Sequence, residues 1–490
     1  MTAHNGNGNG NGELKGDHSA DGVLKGSMAV GQTSQGIEIQ GTLLRLTRFL
    51  AVFEVYNPGL VLRTSEVLTD FKIALRDRTV YSGRAVISSL VNTGGVLVCE
   101  VSLGDFWLEL DAFLPGSQDE KRAGFRELLQ HWQKVYQIRP EFKVVVADMQ
   151  TFFTELRLWL EQVELGLLSA PAGNRAALGQ ELAAELGELT TPALSNLFEK
   201  FESTLREVEP ELRPVHQTFG RRQLHPMLLC SPFLYRCFSK PLGYAGDYEM
   251  VNMMMRDPLE GGSLYAKIVN LWFLKQPPAE AHRNRIQHLV QLIVDAAARA
   301  SAQGRTARIM SIGSGSAHEV QQFLRESHLA SQVQFTLIDF NEETLAHCQK
   351  VLEEIKTRFH RTTSVRYVKK SVQQILKEAA KSVERGATGQ YDLVYCAGLF
   401  DYLSDPVCRK LTGLGYDWLA PGGRLLTTNV DEYNPRRITM DYIMEWHLLY
   451  RKGADLLALK PEKAPADLCA ITSDSTSVNI YFEAKKPDRE

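Results

Sequence analysis

The residues best suited to chemistry lie in one run, Arg308-Ile309-Met310-Ser311-Ile312-Gly313-Ser314-Gly315-Ser316-Ala317-His318-Glu319-Val320. Apolar residues lead into a glycine turn, and a helical pattern follows. Gly313 and Gly315 let the backbone approach a ligand that side chains would block, and they accept turn conformations closed to other residues. A second apolar run, Phe335-Thr336-Leu337-Ile338, ends at Asp339, about two dozen residues after the glycines, the spacing at which a carboxylate accepts both hydroxyls of an adenosine ribose. Asp339 also suits the cap of the next helix, and one carboxylate can do both.

Two further blocks are dense in polar and aromatic groups. The first runs through Lys240-Pro241-Leu242-Gly243-Tyr244-Ala245-Gly246-Asp247-Tyr248, Gly261-Gly262-Ser263-Leu264-Tyr265 and Ala281-His282-Arg283-Asn284-Arg285. Glycines beside tyrosines and an aspartate read either as a loop presenting phenols and a carboxylate to a pocket, or as a turn with core tyrosines. Placement just before the glycine turn favours a lid carrying Tyr244, Asp247, Tyr248 and Tyr265. The second block, Asn429 to Arg451, offers Arg437, Glu445 and His447 as polar groups and Tyr442, Met444, Trp446 and Tyr450 as an apolar wall. It emerges beyond the carboxyl end of a strand, where ligands sit in α/β sheets. His447 reads equally as a packed core histidine.

The elements that must position these groups follow from periodicity. Runs at Ala307–Ile312, Gln334–Ile338, Val365–Val368, Leu393–Ala397 and Arg424–Thr428 alternate with helical stretches, the pattern of a doubly wound α/β sheet. Two closely spaced strands, Leu468–Thr472 and Val478–Glu483, predict an antiparallel C-terminal hairpin. Residues 115–280 read as helical: Pro140 suits a first turn, and Phe142, Val145, Val146, Met149, Phe153, Leu156 and Leu160 form a packing stripe. Ser169 to Gly173 and the Ala/Gly-rich stretch beyond it read as a connection, with helix resuming at about Ala193. Residues 37–114 show short strands, among them Leu50–Val55, Val96–Val101 and Phe106–Leu110, separated by turns at Asn57-Pro58-Gly59, Asp77-Arg78 and Asn92-Thr93-Gly94-Gly95. They predict a small β-barrel. Residues 1–36, with their Asn-Gly repeat, read as a disordered tail.

Bulk properties bound the function. A 490-residue chain exceeds one core. A net charge of -3 gives no general attraction to nucleic acid or anionic membrane, and no apolar run approaches the roughly 20 residues of a membrane span. Seven scattered cysteines without a Cys-x-x-Cys pair argue against zinc and fit reduced thiols in a cytoplasm.

The glycine turn, Asp339, the segment Tyr395 to Tyr402, the Leu419-Ala420-Pro421-Gly422-Gly423-Arg424-Leu425 turn and the hairpin together resemble the class I methyltransferases that use S-adenosylmethionine (SAM), over residues 281–490. The resemblance implies that Gly313, Ser314 and Gly315 border the methionine half of SAM and that Asp339 holds the ribose. It further implies Phe340, Ser371 and Val372 around the adenine, and Ala397, Gly398 and Leu399 under the sulfonium. Three positions depart from the family's pattern. Ser311 stands where an acid often precedes the glycines, Ala317 replaces a third glycine, and Ser371 replaces an acid that contacts the adenine amine.

Residues 220–455 also resemble bacterial enzymes named for making the methyl ester of 3-hydroxypalmitic acid, which implies a fatty or hydroxy-fatty acid carboxylate as acceptor. A carboxylate is already ionised near neutral pH, so transfer to it needs alignment and desolvation rather than a base. Arg283, Arg285 and Arg437 are candidates to hold its carboxylate or that of SAM. A phenol, hydroxyl or amine acceptor would call on His447, Glu445 or Asp247 as base. Residues 37–114 resemble the PilZ domain, which implies cyclic di-GMP binding at Arg45 and Arg48. Their spacing is short of that family's, and no serine falls between Asn92 and Gly94-Gly95. Three readings result: a small-molecule methyltransferase, a cyclic di-GMP-responsive effector with a methyltransferase output, and a non-catalytic SAM-binding scaffold.

Overall fold

The computed structural model describes residues 27–57, 60–75, 78–92, 96–104, 138–169, 171, 173–381 and 390–488. The Asn-Gly repeat, parts of the three expected barrel turns, the expected strand Phe106–Leu110 and the first part of the expected helical region, from residue 115, lie outside them.

Six antiparallel strands, β1 (Met28–Gln32), β2 (Glu38–Leu46), β3 (Leu50–Val55), β4 (Val67–Leu75), β5 (Arg78–Asn92) and β6 (Leu97–Leu103), close a barrel in the order β1-β2-β3-β6-β5-β4. Alternate residues point inward, and Ala29, Ile39, Leu43, Phe53, Phe71, Tyr81 and Val101 fill the interior. The barrel therefore starts at Met28 rather than at residue 37. The segment expected to be tail is the closing strand, paired to β2 on one side and β4 on the other. Five residues are too few for a period to be legible, and only the two flanking strands give them partners.

A helical layer follows: α1 (Pro140–Leu167), α2 (Arg175–Arg206), α3 (Arg213–Leu228), α4 (Pro232–Ser239), α5 (Tyr248–Met255) and α6 (Leu264–Leu274). The α1 stripe is buried at Phe142, Val145, Val146, Met149, Phe153 and Leu160. The Ala/Gly-rich stretch expected as a connection is instead the first half of α2. Its alanines are strong helix formers. Gly187 is there for packing, because a Cβ on it would lie 2.5 Å from Leu271 Cδ2 on α6. Ser231, Asp247 and Ser263 cap α4, α5 and α6 by accepting from the amides of Leu234, Met250 and Ala266.

The remainder is α7 (Pro277–Ala302), β7 (Ala307–Ile312), α8 (His318–Glu326), β8 (Val333–Asp339), α9 (Glu342–Arg358), β9 (Ser364–Lys369), α10 (Val372–Lys381), β10 (Tyr391–Cys396), α11 (Asp405–Trp418), β11 (Leu419–Val430), α12 (Arg437–Ile443), α13 (Gly453–Leu457), β12 (Cys469–Ser473) and β13 (Asn479–Lys485). The seven strands form one sheet in the order β12-β13-β11-β10-β7-β8-β9. β13 runs antiparallel between β11 and β12, and β7 to β11 pair in parallel. Pro421-Gly422-Gly423 forms a bulge inside β11, where the pairing with β10 shifts register. No helix among the described residues is long and apolar enough to cross a membrane.

Barrel, helical layer and sheet meet at Glu445, which follows α12. Its carboxylate accepts from Arg84 of β5 at 2.5 Å and from Arg221 of α3 at 2.6 Å. Lys240 donates to the neighbouring Met444 carbonyl at 2.9 Å. Burial alone would raise the Glu445 carboxyl, but the charges of Arg221, Arg84 and Lys240 outweigh it and hold the group well below its ordinary value. Stability from this carboxylate is thus complete above the ordinary value of 4.5 and is lost as pH falls below it. Glu445→Gln, which strands the cations, should cost about 3 kcal/mol in urea unfolding at neutral pH, with the gap to wild type narrowing in acid.

Candidate active site at the carboxyl ends of the strands

The glycine turn leaves β7 with Gly313 at φ 71°, Gly315 at φ 53° and Ala317 at φ 50°. The amides of Gly313 and Ser314 both donate to the Ile338 carbonyl of β8, at 2.8 and 3.0 Å. The turn is thus strapped to the neighbouring strand. Asp339, at the tip of β8, accepts from the Gly315 amide at 3.1 Å and the Asn341 amide at 3.0 Å. Asn341, not Asp339, caps α9. Burial raises the Asp339 carboxyl, against the pull of those amides. A Cβ on Gly315 would meet nothing within 4 Å, so the turn faces open space.

That space is a cavity of about 1710 Å³, counting its mouth, on which Gly313, Ser314, Gly315, Asp339, Phe340, Ser371, Val372, Ala397, Gly398 and Leu399 all lie. The ten residues expected to contact the cofactor therefore converge on one wall. Ser314 Oγ is buried without a hydrogen-bond partner among the described residues. Ser371 exchanges bonds with Gln374 at the start of α10.

Two buried charges face the same cavity. Arg285 of α7 is 8% exposed and forms no ion pair among the described residues. Its Nη2 lies 3.0 Å from the ring nitrogens of His282. Gly398, at φ 78°, lets this guanidinium approach, since a Cβ there would lie 2.8 Å from both terminal nitrogens. Glu319, in the first turn of α8, is 6% exposed and accepts from the Tyr395 hydroxyl at 2.7 Å, with no cation in salt-bridge contact. Burial raises its carboxyl. Neither group forms a salt bridge among the described residues, although the Arg285 charge acts on the carboxyls of Glu319 and of buried Asp401, which also lines this cavity.

The other expected substrate and catalytic residues divide sharply. Tyr244, Tyr248, Arg285 and Trp446 line the cavity, with Trp446 Nε1 donating to the Tyr402 hydroxyl at 2.9 Å. Tyr265 is core, its hydroxyl spent on the Met227 carbonyl. Arg283 is spent on Glu280 and on the carbonyls of Met254 and Leu274. Arg437 stacks on Tyr450 and, with His447, borders a second cavity between barrel and helices. None of the three expected bases lies on the first cavity. Glu445 is the charged junction described above. Asp247 caps α5 and pairs with Arg236 at 2.8 Å. His447 Nδ1 lies 3.3 Å from Asp441. Arg45 is exposed and borders the second cavity, and Arg48 stacks on Phe49 at 5.6 Å.

Among the cavity residues that were not anticipated are Glu319, His282 and Arg63. Glu319 reads in sequence as an ordinary acid at a helix start, and His282 as a neighbour of the arginines. Burial, then Arg285, His318 and Arg283, push the His282 imidazole well below its usual value, which keeps it neutral and a weak proton acceptor.

No protein-family model and no curated protein matches the chain. Among solved structures, a possible exported protein of Bordetella parapertussis is 16% identical, with 65% of this chain and 99% of that chain covered and a TM-score of 0.39. Magnesium protoporphyrin IX methyltransferase of Synechocystis, solved with bound S-adenosylhomocysteine, is 11% identical over 55% of this chain and 99% of that one, TM-score 0.32. An O-methyltransferase family protein of Burkholderia thailandensis is 17% identical over 66% and 86%, TM-score 0.32. The strand order, with a reversed β13 between β11 and β12, is that of the class I methyltransferase fold.

Gly398→Ala should cost about 1–2 kcal/mol for the left-handed backbone, read by urea unfolding. It should also displace the Arg285 guanidinium in a crystal structure of the variant.

Proposed function

We propose that the chain is a SAM-dependent methyltransferase acting on a small-molecule carboxylate. The observation that carries this reading is the pair of buried groups without salt-bridge partners among the described residues, Arg285 and Glu319, on the cavity that also holds the open glycine turn and Asp339. Arg285 receives the carboxylate of the methionine half and Glu319 its ammonium, so each desolvated charge regains a partner. Glu319 thereby takes the role left open at Ser311, reaching the same place from α8. Asp339 accepts the ribose hydroxyls, and Phe340, Ser371 and Val372 surround the purine.

Bound SAM supplies an electrophilic methyl group on sulfur. Arg285, Glu319, Asp339 and the glycine turn would hold SAM so that this methyl could pass in line to an acceptor oxygen, its bonding pair staying on sulfur. The chain's part is to align the two ends and exclude water. Met250, Met254, Met440, Trp446 and Leu448 give the rest of the lining an apolar character, which suits a hydrocarbon acid. His447, Glu445 and Asp247 lie off this cavity, burial lowers the imidazoles of His282 and His318, and Asp401 is spent on the Val430 amide, so an acceptor already ionised at neutral pH is favoured over a hydroxyl or amine. Cyclic di-GMP sensing rests only on Arg45 and Arg48, both exposed, and adds nothing to this site.

Purified protein with methyl-labelled SAM should form methyl esters of fatty or hydroxy-fatty acids. Transfer to amines instead would retire the acceptor class alone. Calorimetry with S-adenosylhomocysteine should show Asp339→Ala weakened by about 1–3 kcal/mol; undiminished affinity would mean that the ribose lies elsewhere.

A further inference from the structure

The barrel is not a bystander to the cofactor cavity. Its segment from Arg63 to Glu66, leading into β4, is buried throughout, at 7%, 2%, 0% and 0% exposure. Ser65, in a left-handed conformation at φ 60°, accepts from the His447 amide at 2.5 Å and donates to the His447 carbonyl at 2.9 Å. Glu66 accepts from the amide and hydroxyl of Ser34. The lid loop is tied to the same segment, because the Val67 amide donates to the Gly243 carbonyl at 2.8 Å. A Cβ on Gly243 would lie 2.8 Å from Ser34 Cβ. Barrel and lid therefore form one rigid wall.

From that wall Arg63 enters the cavity, with Val61, Thr64 and Gln35 beside it. Its guanidinium lies 4.2 Å from the ring centroid of Phe340 and 5.1 Å from that of Tyr244. Nη2 donates to Ser34 Oγ at 2.9 Å and lies 3.5 Å from Glu66. Nε is buried with no acceptor among the described residues. A desolvated N–H donor without a partner is costly, and this one belongs to a planar cation stacked on the ring beside the ribose-binding position. A smaller opening bordered by Ser34, Gln35, Phe340, Ser371 and Gln373 leads out between barrel and sheet at the same place.

We propose that Arg63 is a cofactor-binding residue supplied by the barrel, its planar guanidinium held on the Phe340 ring and its free Nε–H donating edge-on to a purine ring nitrogen. This rests on the SAM reading above. Purine ring nitrogens are acceptors, so a donor there adds a contact on a base that Ser371 meets without the acid that would accept from its amine. The barrel then serves as the far wall of the adenine pocket, and cofactor affinity depends on its being docked. Lysine cannot substitute, because it offers neither the plane nor the fixed Nε–H.

Calorimetry on the full chain with two probes, S-adenosylhomocysteine and adenosine, tests this. Arg63→Met and Arg63→Lys should each lose tenfold or more in affinity for both probes, with thermal unfolding confirming a folded chain. Arg285→Ala should weaken S-adenosylhomocysteine but leave adenosine unchanged, separating the two ends of the site. Wild-type affinity for both probes in the Arg63 variants overturns the inference while leaving the SAM reading standing. Absence of binding by the wild type to either probe sinks both. Independently of any variant, S-adenosylhomocysteine should slow amide hydrogen exchange across residues 60–66 of the wild-type chain; unchanged exchange there counts against Arg63.

Discussion

An arginine held out of water without a salt-bridge partner among the described residues is the constraint around which the site is arranged. Arg285 stays buried because α7 carries it to the tip of β10 and Gly398 leaves room for its guanidinium. An isolated buried cation is expensive, and a fold tolerates it where a ligand returns the missing charge. Glu319 presents the opposite deficit on the same cavity. The two form no salt bridge, although the Arg285 charge acts on the Glu319 carboxyl; the proposed zwitterion would give each a direct partner.

The surrounding architecture keeps those charges dry. The sheet supplies a floor of strand tips, and the helical layer closes it with Met250 and Met254 of α5 and Pro278, Ile286 and Leu289 of α7. The segment after β11 adds Met440, Trp446 and Leu448. This roof stays in place through Glu445, where one carboxylate binds cations from the barrel and the helical layer. Residues that look catalytic by type are used here as fasteners. Ion pairs and caps engage Glu445, Asp247 and Arg283, and His447 lies 3.3 Å from Asp441, away from this cavity.

Much of the fold was legible because its signals are local. Gly313, Gly315 and Asp339 sit at strand ends whose apolar runs are short and well spaced, and a turn with positive φ favours glycine. Their convergence with Gly398 on one wall follows from the parallel order of the strands. The misreadings were non-local. Met28–Gln32 has no pattern of its own and becomes a strand only between β2 and β4. The Ala/Gly stretch of α2 carries glycines that usually break helices, yet Gly187 is there so that α6 can approach. Glu445, His447 and Asp247 carry the right functional groups, but whether a carboxylate or imidazole is free depends on which cations and carbonyls pack against it.

The sequence by itself determined the α/β sheet, the glycine turn, the acid at the tip of β8 and the apolar stripe of α1. Each depends on residues near one another in the chain, through backbone sterics and hydrophobic period. Only the tertiary structure decided which charges remain unpaired. Arg285 and Glu319 lie 34 residues apart, and Arg63 arrives from a separate barrel. Their worth as binding groups lies in being desolvated together, a property of packing that no local pattern encodes.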